Sequence, residues 1–164
     1  MAENGIWTAE GWLYLAVVLD LFSRRVVGWA MADHLGHELA LAALDMAIVR
    51  QRPAAGLIHH SDRGVQFAAH EYRKRLQQHD ILCSMSRKGN CWDNAPMESF
   101  YATLKGELVE QRDYLTRGEA RADVFQFLEG WYNRRRLHSA LGYLTPEQKV
   151  AAFHAAASAA QHCP

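Results

Sequence analysis

Two acidic residues, Asp62 and Glu98, have the types and spacing that divalent-metal chemistry on a phosphate requires. Asp62 follows a short apolar run at residues 56–60, and Glu98 begins a helical pattern, with thirty-five residues between the two. Lys105 follows Glu98 by seven residues, about two helical turns, so the two side chains share one helix face. A strand-end aspartate, a helix-borne glutamate and a nearby cation suit a site that holds metal ions against a nucleic-acid phosphate.

The chemistry of phosphodiester transfer explains why these residue types matter. The attacking and the leaving oxygen both need stabilisation, and two divalent metal ions about 4 Å apart can supply it. Mg²⁺ prefers oxygen ligands, so carboxylates at strand ends suit it, and α/β sheets commonly place ligands there. The sequence therefore predicts Asp62 and Glu98 as ligands of Mg²⁺ or Mn²⁺, with Lys105 against a DNA phosphate.

Each of these residues also has an ordinary structural interpretation. Ser-Asp-Arg-Gly around Asp62 is common in turns, and the helix dipole favours Glu98 in a first turn. Asp20, at the end of an apolar run, is interpreted as a turn residue. His59 and His60 are adjacent on a strand and point to opposite faces, so a packing role is favoured over a shared metal ion.

The composition describes an ordinary globular domain with uneven charge. Of 164 residues, 49% are hydrophobic and 22% charged, and the net charge is zero. This balance argues against strong non-specific DNA binding. Residues 133–138 and the stretch around Arg87 and Lys88 are locally basic, although Arg134 and Arg136 also suit a solvated helix end. No membrane span or signal peptide is predicted, and the odd number of cysteines (three) suggests reduced thiols in a cytoplasmic protein.

Apolar patterning predicts one α/β domain. Residues 12–20 and 24–32 form an antiparallel hairpin, and Ile6-Trp7 is the end of an earlier strand. The remaining elements are predicted in the following order: a helix at 37–51, a strand at 56–60, a helix at 68–79, a strand at 81–84, a loop at 87–94, helices at 96–110 and 118–136, and a last helix opened by a capping box at 145–148. Residues after about 157 are expected to fray.

Taken together, these motifs resemble the integrase catalytic core of insertion-sequence transposases, within the retroviral-integrase superfamily. The resemblance covers nearly the whole chain. It is carried by five stretches: WLYLAVVLD with Ser23-Arg24; HSDRGVQF at 60–67; SMSRKGNCWDNA at 84–95; Glu98-Ser99-Phe100 with Leu104-Lys105; and Trp131-Tyr132-Asn133-Arg134 through Tyr143.

The resemblance implies a ribonuclease-H-like mixed sheet flanked by helices, with the first strand largely missing. It identifies Asp62 and Glu98 as the second and third acids of an Asp-Asp-Glu triad that uses Mg²⁺ or Mn²⁺. Lys105 matches the basic residue after the glutamate. DNA contacts are expected from Arg87, Lys88, Lys105, Arg134 and Arg136. Multimers of this chain, or assembly with full-length transposase, are implied in the same way.

One motif of the family is missing. The first acid of such proteins falls at about Ala2, and the following residues do not reproduce its motif. A helix-turn-helix region is also absent, so the chain resembles a fragment: an incomplete catalytic core at residues 1–157 and a frayed tail at 158–164.

Three hypotheses follow from these patterns. The first is a DDE-type transposase core, impaired by loss of the first acid. The second is a non-catalytic remnant that binds DNA or full-length transposase. The third is a ribonuclease-H-like hydrolase of RNA–DNA hybrids, which no sequence feature favours.

Overall fold

A computed structural model describes residues 5–61, 70–85 and 95–161. Its first sheet contains three antiparallel strands in the order β1 (Gly5–Thr8), β2 (Gly11–Leu19) and β3 (Val26–Ala32). The predicted hairpin is therefore confirmed, and the strand predicted to end at Ile6-Trp7 is β1.

A β-bulge in β3 changes which residues of that strand face each side of the first sheet. Val18 pairs with Gly28 while Leu19 pairs with Val26, so Val27 is the extra residue. The bulge reverses the alternation of side chains along β3. As a result, Val26 and Trp29 both pack into the main core, whereas Gly28 faces the first helix.

Helix α1 (His37–Gln51) covers one face of this sheet, with the bounds that the sequence predicts. It approaches the sheet closely at Gly28. A Cβ atom there would lie 2.2 Å from the carbonyl oxygen of Ala43 and 2.7 Å from the amide nitrogen of Ala47. Glycine is therefore the residue that permits this helix–strand contact.

The other face of the sheet packs on helices α3 (Ala95–Glu107) and α4 (Arg117–Phe125) and on a π-helical segment, Gln126–Tyr132. These elements enclose the main core, whose buried members are Ile6, Leu13, Leu15, Val26, Phe100, Tyr101, Leu104, Tyr114, Ala120, Val124, Phe127, Leu128 and Tyr132.

A second unit follows α1 in the chain. Strand β4 (Ile58–Ser61), helix α2 (His70–Gln78) and strand β5 (Leu82–Met85) make a β-α-β arrangement in which the two strands are parallel. A smaller core joins this unit to α1 through Ala40, Leu44, Ile48, Tyr72, Leu76 and Ile81.

The single helix predicted over residues 118–136 is wrong. Helix α4 begins one residue earlier, after a capping box between Thr116 and Glu119, and gives way to the π-helical segment at Gln126. The amide of Asn133 donates to the carbonyl oxygen of Leu128, five residues back, at 3.4 Å. The π-helical segment ends at Tyr132, and the side chain of the next residue, Asn133, turns onto β3.

The last helix, α5 (Pro146–Gln161), begins at the predicted capping box. The amide of Gln148 donates to Thr145 Oγ1 at 3.2 Å, and the amide of Thr145 donates to Gln148 Oε1 at 2.9 Å. The helix extends to Gln161, beyond the predicted boundary at 157. Short 3₁₀ turns lie at Val109–Gln111 and Ser139–Leu141. Among the described residues, no helix has the length and apolar character needed to cross a bilayer.

Candidate functional site

Helix α3 carries two of the predicted site residues. Glu98 is exposed in its first turn, and Lys105 is half-buried in its last turns. Seven helical residues bring a side chain back to within roughly 20° of its starting direction, so the two lie along one side of α3. That side borders the face that buries Phe100, Tyr101 and Leu104, and it is therefore held at a fixed angle to the sheet.

A hydrogen bond and an aromatic contact hold α3 in place, in addition to apolar packing against the sheet. The Tyr101 hydroxyl donates to the carbonyl oxygen of Leu15 at 3.2 Å. The Phe100 ring meets the Tyr132 ring edge-to-face, with centroids 5.1 Å apart. Burial raises the pKa of Tyr132 to about 12, so its phenol stays neutral. Glu98 thus projects from a helix whose position is fixed by packing and by a hydrogen bond.

The predicted second carboxylate, Asp62, lies outside the described residues, immediately after β4. The end of that strand is described: Ser61 is buried and pairs with Met85, the last residue of β5. Both parallel strands therefore end at the same sheet edge. Arg87 and Lys88, which follow β5, also lie outside the described residues, so the convergence of Asp62 with Glu98 remains a prediction.

The histidine pair on β4 has the arrangement that alternation predicts. His59 Nε2 lies 3.0 Å from the Tyr72 hydroxyl, and its ring packs against the tyrosine, whereas His60 is exposed. Burial, with a smaller effect of His60, lowers the pKa of His59 to about 4. His59 is a neutral packing residue. Over residues 5–61, 70–85 and 95–161, no three His, Cys, Asp or Glu side chains cluster in a way that could hold a metal ion.

Asp20 is a turn residue, as predicted. Its carboxylate accepts the amide of Ser23 at 3.1 Å, the hydroxyl of Ser23, and the amide of Phe22 at 3.4 Å. These bonds close the connection between β2 and β3. The aspartate is committed to the backbone of its own turn.

The predicted DNA contacts Arg134 and Arg136 both have acidic partners within the chain. Arg134 Nε lies 3.3 Å from Glu147 Oε1 and is largely exposed. Arg136 Nε lies 3.5 Å from Glu107 Oε1, and its guanidinium sits 6.0 Å from the Tyr132 ring centroid. A phosphate would compete with a carboxylate at each of these arginines.

Asn133 has a structural role that the sequence did not predict. Its side-chain oxygen accepts the amide of Val26 at 2.9 Å, and its side-chain nitrogen donates to the carbonyl of the same residue at 3.0 Å. The asparagine, which is buried, therefore acts as a strand neighbour at the bulge of β3. The two residues are 107 positions apart, so no local pattern indicates the pair.

A depression of about 370 Å³ lies at the far end of α3, lined by residues that include Glu107, Arg112, Asp123 and Trp131. Arg112 and Asp123 form an ion pair across it at 2.6 Å. Glu107 is about 13 Å along the helix axis from Glu98, so this depression is separate from the predicted carboxylate site.

Comparison with known proteins assigns the chain to a family. The integrase core domain family matches residues 3–91, and a second integrase core domain family matches residues 79–146. The chain belongs to the integrase core domain family.

Curated relatives include products of bacterial insertion sequences. Over 161 residues the chain is 45% identical to an uncharacterized 31 kDa protein of insertion element IS600 from Shigella sonnei, covering 93% of this chain and 59% of that protein. It is 43% identical over 154 residues to the transposase for IS904 from Lactococcus lactis, which covers 89% of this chain and 61% of that protein. It is 47% identical over 141 residues to transposase InsF for IS3A from Escherichia coli, which covers 86% of this chain and 49% of that protein. The chain thus spans about half the length of the curated relatives it matches.

Solved structures with the same fold include retroviral integrase catalytic cores. A magnesium-bound, trimeric form of the HTLV-2 integrase catalytic core domain superposes with a TM-score of 0.62 at 15% identity, covering 88% of each chain. The catalytic core domain of BIV integrase gives 0.59 at 19% identity and covers 93% of each. The predicted ribonuclease-H-like fold class is confirmed.

Proposed function

We propose that this chain is a DDE-type transposase core that takes part in DNA integration and transposition by metal-dependent phosphodiester cleavage and strand transfer. Membership of the integrase core family supports the reaction class. The observation that carries the proposal is the placement of Glu98 and Lys105 along one exposed border of α3, a helix fixed to the sheet. A carboxylate and a cation in this arrangement fit a metal ion and a DNA phosphate respectively.

Asp62 and Glu98 are the proposed metal ligands. An exposed glutamate on a rigid helix supplies the oxygen donor that Mg²⁺ or Mn²⁺ prefers. When bound, such metal ions stabilise the attacking and leaving oxygens of the phosphodiester. The role of the chain's own residues is to hold the carboxylates apart at a fixed spacing and to orient the DNA strand, so that a water or a DNA 3′-hydroxyl meets the phosphorus in line.

The proposed DNA contacts differ in how readily they can engage a phosphate. Among the proposed DNA contacts, Lys105 is the one that lies on the same helix as Glu98. Arg134 is exposed and pairs with the surface carboxylate of Glu147, an interaction that contributes little in water. Arg87 and Lys88, which follow β5 in the sequence, are proposed contacts as well.

The first carboxylate of the family's triad has no counterpart at the expected position, which Ala2 occupies. This substitution supports the second candidate function, a non-catalytic core that binds DNA or associates with further copies or with full-length transposase. Both candidates share the DNA-binding surface, and they differ in whether two carboxylates suffice for strand joining.

A strand-transfer assay on transposon-end DNA, with Mg²⁺ or Mn²⁺, tests the proposal. We expect weak joining by the chain as given, a gain of at least tenfold in Ala2→Asp, and loss of that gain in Ala2→Asp combined with Asp62→Ala or Glu98→Gln. Ala2→Asn is the matched control, because it has the same shape as aspartate without the charge.

The outcomes separate the two candidates. Robust joining by the unmodified chain that disappears in Asp62→Ala would rule out the non-catalytic function. DNA binding without joining in any variant, including Ala2→Asp, would rule out the catalytic one.

Lys105→Ala provides an independent test of the DNA-facing side of α3. Removing one phosphate contact lowers the salt dependence of binding by about one unit of slope. Fluorescence anisotropy with labelled duplex at 50–200 mM salt measures it. Unchanged affinity at low salt would contradict the phosphate role of Lys105.

A further inference from the structure

A group of three basic side chains contacts the Tyr132 ring or acts on it through charge, and one of them comes from the turn between β2 and β3. Arg24 belongs to that turn and has a left-handed backbone with φ of 59°. Arg136 and His138 come from the chain that follows the π-helical segment, more than one hundred residues later. The ring of His138 packs edge-to-face on Tyr132 with centroids 5.1 Å apart, and Arg136 lies over the same tyrosine.

Each side chain of this group has one buried nitrogen that makes no hydrogen bond in the described part of the chain, although Arg136 Nε lies 3.5 Å from Glu107 Oε1. Arg24 Nη1, Arg136 Nε and His138 Nε2 are buried atoms that make no hydrogen bond there. His138 as a whole is only 9% exposed. Its other ring nitrogen, Nδ1, lies 3.3 Å from Arg136 Nη1, which can only donate. Nδ1 is therefore the acceptor, and Nε2 carries the hydrogen.

The electrostatic surroundings are positive. Burial, followed by the charges of Arg136 and Arg24, lowers the pKa of His138 to about 4. The histidine is thus a neutral donor between two cations. Glu107 Oε1 faces Arg136 Nε at 3.5 Å without making a hydrogen bond, and Asp20 accepts hydrogen bonds within its own turn. Unpaired buried donors are costly, so their retention next to two guanidinium groups points to an anion.

We propose that Arg24, Arg136 and His138 form a binding site for a phosphate oxyanion, supplied by the backbone of DNA. Two guanidinium groups and an imidazole N–H give donors from different directions, which suits the oxygens of a phosphate better than a planar carboxylate. The Arg136–Glu107 distance of 3.5 Å is longer than an ideal charge-assisted hydrogen bond, so the guanidinium can turn towards a stronger acceptor.

The position of the site gives it a definite role. It lies near Glu107, at the opposite end of α3 from Glu98, about 13 Å away along the helix axis. A DNA strand advances about 3.4 Å per nucleotide along the duplex axis, so the site would hold a phosphate roughly four nucleotides from the reacting one. The assignment to DNA rests on the proposed function, whereas the assignment to a phosphate oxyanion does not.

Two variants of equal charge test the site. Arg24→Gln removes a cation from it, and Arg135→Gln removes an exposed cation next to it in sequence that has no role in the group. We expect Arg24→Gln to weaken binding of a labelled 30-base-pair duplex about tenfold at 50 mM salt, and Arg135→Gln less than twofold. Isothermal titration with pyrophosphate, which contains no base or sugar, should show binding by the unmodified chain and its loss in Arg24→Gln.

His138→Phe is a further variant of the site, because it keeps an aromatic ring against Tyr132 and removes the donor. Thermal unfolding confirms that each variant is folded before binding is compared. Equal DNA affinities and equal pyrophosphate binding in Arg24→Gln, His138→Phe and Arg135→Gln would overturn the proposal. Pyrophosphate binding that depends on Arg24, combined with no DNA binding by the unmodified chain, would uphold the anion site and count against the proposed function instead.

Discussion

The three-stranded sheet and the β4–α2–β5 unit are held by cores of unequal size. Among the residues that the structure describes, thirteen buried residues join β1–β3 to α3, α4 and the π-helical segment, whereas six join the second unit to α1. The larger core fixes Glu98, and the smaller one fixes the strand end from which Asp62 follows. Glu98 and the end of β4 therefore depend on separate packing, and each can be disturbed without direct damage to the other.

The largest effect is expected from the core beneath α3. Phe100→Ala removes a ring that is 1% exposed and contacts both Tyr101 and Tyr132. We expect a loss of about 3–5 kcal/mol in the free energy of unfolding. Phe125→Ala, at a ring that is 44% exposed, is the matched control and should cost much less. Denaturant unfolding measures both, and equal costs would show that α3 is not held by this core.

The junction between the two regions is tested at Gly28. A methyl group there meets the backbone of α1, so Gly28→Ala should destabilise the fold by about 2–3 kcal/mol. Gly106→Ala is the control, because a Cβ at that helical position meets no atom within 4 Å and alanine favours helix. The control should be neutral or stabilising in the same unfolding experiment. A neutral Gly28→Ala would mean that α1 can shift away from β3.

Acid should weaken the smaller region through His59. Its folded pKa of about 4 lies below the unfolded value of 6.5, so the stability it contributes is complete above about pH 6.5 and is lost as pH falls towards 4. We expect a loss of about 3 kcal/mol over that window. His59→Gln keeps a hydrogen-bonding group next to Tyr72 but cannot take up a proton in this range, and it should flatten the pH profile of unfolding. A profile of unchanged steepness would assign the acid sensitivity to other groups.

The smallest effect on stability is expected at the proposed ligand itself. Glu98 is exposed and lies outside both cores, so Glu98→Gln should change the free energy of unfolding by less than about 0.5 kcal/mol. Circular dichroism and thermal unfolding provide the measurement. A substantial loss of stability would show that Glu98 is a structural residue and would weaken its assignment as a metal ligand.

Local patterns in the sequence predicted much of the fold. Helix α1 has the predicted bounds at His37 and Gln51, and the capping box at Thr145 and Gln148 opens α5 as expected. Glu98 and Lys105 share a helix, as their spacing requires. Each of these features depends on residues within a few turns of one another, and helical or strand periodicity records such relationships directly.

Tertiary structure decided the features that join distant segments. Regular helix gave way to a π-helical segment before residue 133, where Asn133 pairs with Val26, 107 positions earlier. In the same way, the charge of Arg24 in the β2–β3 turn lowers the pKa of His138, which lies more than one hundred residues later in the chain. Sequence periodicity carries no record of such pairings, since they depend on how whole elements pack and not on the spacing of neighbours along the chain.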